Sequence, residues 1–533
     1  MQPINPATLR AWIMNGHELA ILDAREEGEF ATGRLFWAVS CPLSRRELRA
    51  STLLTRLSTR IVTVDDGRGL AQELAAYLEA VGCRDVYTLT GGAKAWEAAG
   101  YRLFFGVHLL AKAFAGWVEH HYGTQNVSAE ELKFWLDARR NVLVLDSRPY
   151  EDFTRATLPI AVNVPLGELA YRVGDLAPDP KTTLVILSAG RARGILGAET
   201  LRRAGVPNRV MALSHGIMGW ELAGYRCEHH RTERYANEPP KTAALALSRA
   251  QSFAESCGVG VIGALDLVRF EEDSNRTCYV LDVRHPAEFR AGHRPGSRNA
   301  PPGGDLLFGA DDFVAVRNSR IVLLDDTGVR ARMTGAWLRQ MGCRDVFVVE
   351  GGLEEARTRE PPPRLVPDYA TRPAGVPTID VPGLTRLLAK GDQTVIVDLA
   401  RSLVYREGHI PGALWGIRTR LAVLKPALAG AKHVVLTSPD GLVASLAVEE
   451  MRGLTTGDVR VLEGGTEAWH AFGRPYVRDP NQPPDKACID VFLLPHQRCS
   501  GVEQAMRDYL AWEARLPQES EQEGTVNFGV ASE

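Results

Sequence analysis

Leu19-Ala-Ile-Leu-Asp23, followed seven residues later by Phe30 and then by Arg60-Ile-Val-Thr-Val-Asp65, decides the fold, because the chain writes this passage four times. The first apolar run ends at Asp23, Asp146, Asp282 and Asp398, and the aromatic that follows is Phe30, Phe153, Phe289 or Tyr405. A second apolar run empties into a short loop at Asp65, Ser188, Asp325 and Ser438, which lie 42, 42, 43 and 40 residues beyond the first aspartate. A block this long, kept this closely, is a tandem array of whole domains and not a solenoid unit.

The runs are nearly continuous in apolar residues, as strands buried on both faces of a parallel sheet must be. In the first copy Leu70, Leu74, Tyr77, Leu78 and Val81 follow the loop Asp65-Asp-Gly-Arg-Gly69 at helical spacing, and Gly82 stands where helices close. Val86-Tyr-Thr-Leu89 predicts a third strand, and Gly91-Gly92 turns into a helix carrying Trp96. The same order recurs before His215-Gly216, Gly351-Gly352 and Gly464-Gly465. Strand, helix, strand, helix predicts an α/β fold: four tandem domains, each a small parallel sheet flanked by helices on both faces.

A length of 533 residues suits roughly three to four domains of ordinary size, and the repeats choose four. Hydrophobic content of 45% and charged content of 24% are those of a globular protein with ample core. A formal charge of −3 gives no global basic field for nucleic acid or an anionic membrane. No uninterrupted apolar run approaches the ~18 residues that span a bilayer. Asn5 and Pro6 predict a helix cap and first helical position rather than a signal peptide. Eight cysteines without a CxxC pair fit reduced thiols, so a cytoplasmic protein is expected.

The predicted domains cover residues 1–104, 127–230, 258–360 and 378–480. Residues 105–126 are an interdomain helix, with Val107, Leu110, Phe114, Trp117 and Val118 at helical spacing, and Ser128-Ala-Glu-Glu131 is a capping box opening the second domain. Residues 231–257 form a partly helical connector and 361–377 a proline-rich extended linker. The extension 481–533 carries one helix, Gly501 to Ala514, and an acidic end expected to fray from Glu519.

At this point the residues resemble the rhodanese family of sulfurtransferases, and the resemblance runs to about residue 480. Asp282-Val-Arg-His-Pro-Ala-Glu-Phe289 with Gly292-His-Arg-Pro-Gly296 is similar to the family's first signature, and Gly408-His-Ile-Pro-Gly-Ala413 to its second half. Ser188-Ala-Gly-Arg-Ala-Arg-Gly194 and Asp325-Asp-Thr-Gly-Val-Arg330 resemble the family's active loop, in which Cys stands first and Arg sixth. The resemblance implies a cysteine that takes sulfane sulfur from a donor such as thiosulfate, holds it as a persulfide and passes it to a thiol or cyanide. The form of the loop suits this chemistry, since successive N–H groups at a helix start converge on one point, and positive potential there favours a thiolate.

None of the four nucleophile positions is cysteine; they hold Asp65, Ser188, Asp325 and Ser438. A serine hydroxyl stores no persulfide, and no loop supplies a histidine as its base. A carboxylate in an anion cradle accepts the N–H bonds itself, so Asp65 and Asp325 are expected to plug their own loops with depressed pKa values. Ser438 precedes Pro439, which lacks an N–H, and the acidic Asp440. The second loop is the one expected to attract an oxyanion: Ser188 at the nucleophile position, with Ala189, Gly190, Arg191, Ala192, Arg193 and Gly194 around the anion.

Other features favour structure over chemistry. Asp23/Arg25, Asp146/Arg148 and Asp282/Arg284 are expected to be ion pairs fixing the strand exits, with Arg401 as the slipped equivalent beside Asp398. Trp96, Trp220 and Trp469 are expected in the core, and Ala356 leaves the third copy less filled. His120-His121 and Cys227-Glu-His229-His230 do not place adjacent histidines on one face, so no metal is expected, and no cofactor. Cys41, Cys83, Cys257, Cys278 and Cys343 fall outside the loops.

The sequence therefore predicts a sulfurtransferase-lineage protein deficient in sulfane-sulfur transfer, with residual binding of an oxyanion or thiosulfate-like sulfur compound in the second domain. The expected partners are that small anion and a thiol acceptor, with no nucleic acid and no membrane. One alternative is an active thiosulfate sulfurtransferase in which Ser188 is an engineered replacement of cysteine. The other is a structural or interaction protein whose four domains present a surface.

Overall fold

The computed structural model describes residues 1–300, 306–362, 370–391 and 393–529. Four parallel sheets are present, each with helices on both faces. In the second domain the spatial order is Asn126–Val127, Val210–Leu213, Thr183–Leu187, Val142–Asp146, Val162–Asn163. The third and fourth sheets repeat this order around Arg320–Leu324 and His433–Thr437, and the first around Arg60–Val64. The second apolar run of each repeat is thus the middle strand, so the loop leaving it opens where the chain order in the sheet reverses. That is where open α/β sheets form their crevice.

The helix starts follow local chemistry. Asn5 Oδ1 accepts the Thr8 N–H at 2.8 Å ahead of Pro6–Met14, and Ser128 Oγ accepts the Glu131 N–H at 3.1 Å ahead of Ala129–Asp137. Trp96, Trp220 and Trp469 are buried. Near Ala356 the fully buried Arg294 donates to the Ala356 carbonyl at 2.9 Å and pairs with Glu271.

The domains do not lie as separate beads. Val316–Arg317 of the third domain adds to the first sheet as an antiparallel strand, with Val316 opposite Ala20 and Arg317 opposite Leu19. Beside this joint the Glu18 carboxylate accepts from Arg56, Arg276 and the Thr277 N–H. Beside a core of its own in each, one shared apolar core runs through domains one, two and three and takes in Phe114 and Val118 of the connecting helix Leu109–Tyr122. The fourth domain keeps its own cores. It meets the first through ion pairs, Arg418–Glu47 at 2.8 Å and Arg401–Glu27 at 2.6 Å.

The extension departs from expectation. Its helix runs from Val502 to Glu523, through Pro517, and does not fray at Glu519. Trp512 and Leu516 pack against Phe36, Phe104, Leu109 and Ala113, and Glu523 pairs with Arg10. Gly116 permits this approach, since a Cβ there would stand 2.1 Å from Pro517 Cγ. Burial of an aromatic stripe outweighs the acidic composition. Of the proline-rich stretch 361–377, residues 363–369 lie outside the described residues.

Candidate functional site

Each floor residue follows the middle strand and precedes a helix: Leu70–Ala80, Ala192–Arg203, Val329–Gln340 or Leu442–Leu446. A glycine from the next strand–helix turn holds the floor in place. The φ values of Gly92, Gly216, Gly352 and Gly465 are 58°, 57°, 64° and 65°. A Cβ at these positions would stand 2.2, 2.1, 2.6 and 2.1 Å from the carbonyl oxygens of Asp65, Ser188, Asp325 and Ser438. Glycine is required there twice over, for its dihedral angle and for the close approach. The following residue then donates its N–H to the floor carbonyl, at 2.7 Å from Ala93 to Asp65 and 2.8 Å from Ile217 to Ser188.

The first and third loops are filled by their own floor residue. Asp65 Oδ1 accepts the Gly67 N–H at 2.8 Å, and Oδ2 accepts those of Gly69 and Ala71 at 2.8 and 3.3 Å. Asp325 accepts from Gly328 N–H at 3.0 Å, Arg330 N–H at 3.1 Å and the Thr327 hydroxyl at 2.8 Å. The expected depression of the Asp325 pKa is corrected: burial pushes it up, and the Arg330 charge and the Thr327 bond only partly offset that. Arg330, sixth in its loop, is committed elsewhere. It bonds Glu168 of the second domain at 2.9 Å and Glu288 at 2.7 Å.

The second loop is filled from outside its domain. Ser188 is buried, and its hydroxyl donates to the Gly190 carbonyl at 2.8 Å. The Arg191 N–H donates to Glu513 Oε2 at 3.0 Å and the Ala192 N–H to Glu513 Oε1 at 3.3 Å. The loop expected to attract an oxyanion thus receives a carboxylate from the tail helix. Gly190 makes room for it, because a Cβ there would meet Glu513 Oε2 at 2.8 Å. Arg191 pairs with Glu119 of the connecting helix at 2.6 Å, and the Arg193 guanidinium stacks over Phe308 at 4.7 Å. Gly194 lets the helix close on the floor, as a Cβ there would lie 3.2 Å from Ser188 Oγ.

Nearby, the buried Lys112 ammonium donates to the Val107 carbonyl at 2.9 Å and lies 4.6 Å from the Trp512 ring centre. Burial lowers its pKa to about 8 against the opposing charges of Glu513 and Asp311. No repeat-based comparison could have found Glu513, since it lies beyond the fourth copy. Its one signal is the spacing of Met506, Leu510 and Glu513, which places two apolar groups and an acid on one helix face.

In the fourth loop, among the described residues, no carboxylate from outside the loop accepts from the helix start as Glu513 does in the second. Ser438 Oγ accepts the Ala444 N–H at 3.3 Å, Asp440 accepts the Leu442 N–H at 2.9 Å, and Arg372 bonds the Asp440 carbonyl.

Behind the loops, the strand-exit arginines are forked onto their aspartates, with shortest contacts of 2.6, 2.6 and 2.7 Å for Arg25, Arg148 and Arg284. Arg401 is a correction: it reaches to Glu27 and the Asp490 carbonyl, not to Asp398. Asp398 instead accepts from the Ala400 N–H at 2.9 Å and the Thr466 hydroxyl at 3.3 Å, and burial raises its pKa to about 6. The eight thiols are likewise pushed up by burial, Cys41, Cys227 and Cys278 to about 12 and Cys83 and Cys343 to about 11. Cys257, Cys488 and Cys499 move in the same direction. Among the described residues no group of three or more His, Cys, Asp or Glu side chains gathers as metal ligands, and no helix is long and apolar enough to cross a membrane.

Comparison with known proteins agrees with this geometry. The Rhodanese-like domain matches residues 5–99, 128–223, 266–358 and 382–472. The crystal structure of a thiosulfate sulfurtransferase from Pseudomonas aeruginosa is 37% identical, covers 100% of both chains and superposes with a TM-score of 0.91. Among curated proteins, the Bacillus subtilis protein YrkF is 26% identical over 113 residues, an overlap of 21% of this chain and 60% of that protein. The HTH-type transcriptional regulator Rv0324 of Mycobacterium tuberculosis is 26% identical over 213 residues, 40% of this chain and 85% of its own. With four matches across most of its length and a full-length structural relative, this chain belongs to the rhodanese family and carries the family's domain four times.

Proposed function

We propose that this protein does not transfer sulfane sulfur at its four loops, and that its second domain keeps an oxyanion cradle now occupied by Glu513. The observation that carries this is chemical. All four floors bear oxygen, and sulfur transfer from thiosulfate needs a thiolate there. The thiolate attacks the outer sulfur, a new S–S bond forms, and sulfite leaves with the electron pair of the bond that breaks. A hydroxyl or carboxylate offers no sulfur for that bond. Burial pushes the pKa of the seven buried or half-buried thiols up, the opposite of what activates a nucleophilic cysteine, and the exposed Cys499 lies in the extension, outside all four loops.

The test is thiocyanate formation from thiosulfate and cyanide by the purified protein. No turnover above the enzyme-free rate is expected; sustained turnover would carry over the activity in the Pseudomonas relative's name. Ser188→Cys should restore a thiosulfate-dependent persulfide, visible by mass spectrometry as one added sulfur atom. Absence of that persulfide in a folded variant that also carries Glu513→Ala would remove the cradle from the proposal. A second reading, that the loops serve assembly, is favoured by the Arg330–Glu168 pair, in which the third loop's sixth-position arginine joins two domains.

A further inference from the structure

We infer that the tail helix regulates the second cradle: Glu513 is a tethered ligand of its N–H groups, and binding of a free anion excludes docking of that side chain. The inference rests on the reading of this loop as an oxyanion cradle.

The contact itself and the shape of the loop support it. The contact joins Glu513 to the loop amides of Arg191 and Ala192, more than 300 positions earlier in the chain, and the carboxylate is buried there. A carboxylate accepting two N–H bonds at the start of the helix Ala192–Arg203 is the arrangement that binds oxyanions generally. The loop is also shaped for the visitor, since the missing side chain of Gly190 leaves the space that Glu513 Oε2 and the Tyr509 ring border.

The helix holds its ligand by two separate anchors. On the second domain, Met506 and Leu510 pack with Met218. On the first domain and the connecting helix, Trp512, Leu516 and Pro517 make the deeper contact. The second anchor keeps Glu513 within reach whether or not it occupies the loop. A tethered group of this kind has an effective concentration of roughly millimolar or more, so a dilute free anion competes poorly. The first and third loops offer no such control, because their carboxylates belong to the loop itself and have nowhere to go.

The experiment is calorimetric titration of the full chain with sodium thiosulfate, comparing the protein as written with Glu513→Ala and Glu513→Gln. Thiosulfate should bind Glu513→Ala at least about tenfold more tightly than the parent, with Glu513→Gln in between. Equal affinity for parent and variants would overturn the tether and leave the cradle standing. Failure of all three to bind would remove the cradle, and the tether with it. Should Glu513→Ala not fold, the comparison moves to the Ser188→Cys background. There Glu513→Gln should speed thiosulfate-dependent persulfide formation about tenfold, and an unchanged rate would overturn the inference.

Discussion

The third loop and the second loop solve one problem in two ways. In both, a helix start points N–H groups into a closed space, and such donors are costly to leave without an acceptor. The third loop changes its floor to Asp325, and the acceptor is built in. The second keeps a small uncharged floor, Ser188, and takes its acceptor from a helix at the far end of the chain. The comparison teaches that N–H groups converging at a helix start require an acceptor, and that a carboxylate can supply it from the floor or from a distant helix. What differs is reversibility: a floor residue stays, whereas a side chain on another helix can withdraw.

The largest expected effect comes from emptying a built-in plug. Asp325→Ala strands two backbone N–H groups and the Thr327 hydroxyl in a half-buried loop. At about 1–3 kcal/mol for each unsatisfied group, partly offset by relief of a buried carboxylate, the loss should be about 4 kcal/mol. Urea unfolding followed by hydrogen exchange in the third domain measures it. Added sulfate should restore part of the loss, because an oxyanion can accept the N–H bonds that Asp325 leaves. A loss under about 0.5 kcal/mol with no sulfate effect would mean that the N–H bonds are not what holds this loop.

The same contrast extends to the carboxylate behind the loop. Asp23, Asp146 and Asp282 each face an arginine, whereas Asp398 does not; burial raises the Asp23 pKa despite Arg25, and that of Asp398 from 3.8 to about 6. Between these values the folded protein binds the proton and the unfolded chain does not. Asp398 therefore costs stability above pH 6, and the cost fades as the pH falls from about 6 to about 4. Glu26, raised by burial to about 7, acts in the same direction over a window that extends to higher pH, so the useful quantity is a difference. Asp398→Asn keeps an oxygen for the Ala400 N–H and should stabilise the fourth domain by about 2 kcal/mol at pH 7 and by little at pH 4. A pH-independent difference between the two proteins would show that the Asp398 charge is already compensated.

Much of this was legible in the sequence because it is local and repeated. The apolar runs fix the strands, the paired Gly-Gly and His-Gly turns fix the floors, and Asp65 and Asp325 at those floors foretell their own hydrogen bonds. What escaped lies between copies. Arg401 is close enough in sequence to Asp398 to suggest a pair, but Glu27 of the first domain outcompetes it for the guanidinium. The strand Val316–Arg317 is two residues long and meaningful only beside Leu19–Ala20 of another domain. The tail reads as frayed because it is acidic. Its apolar stripe finds a partner only once the first domain and the connecting helix are assembled beneath it.

The smallest expected effect is the most discriminating between the two kinds of plug. Glu513→Gln retains an oxygen for one of the two N–H groups and removes the charge, while Trp512 and Leu516 still hold the helix. Global stability should fall by only about 1 kcal/mol, the difference between a charge-assisted hydrogen bond and a neutral one. The local consequence should be clearer. If the side chain leaves the loop without the helix leaving the protein, exchange of the Arg191 and Ala192 amides should accelerate about tenfold while the amides of Ala192–Arg203 beyond the first turn stay protected. Acceleration along the whole of that helix would instead mean that Glu513 is a structural cap of the second domain, equivalent to Asp325 in all but its place in the chain.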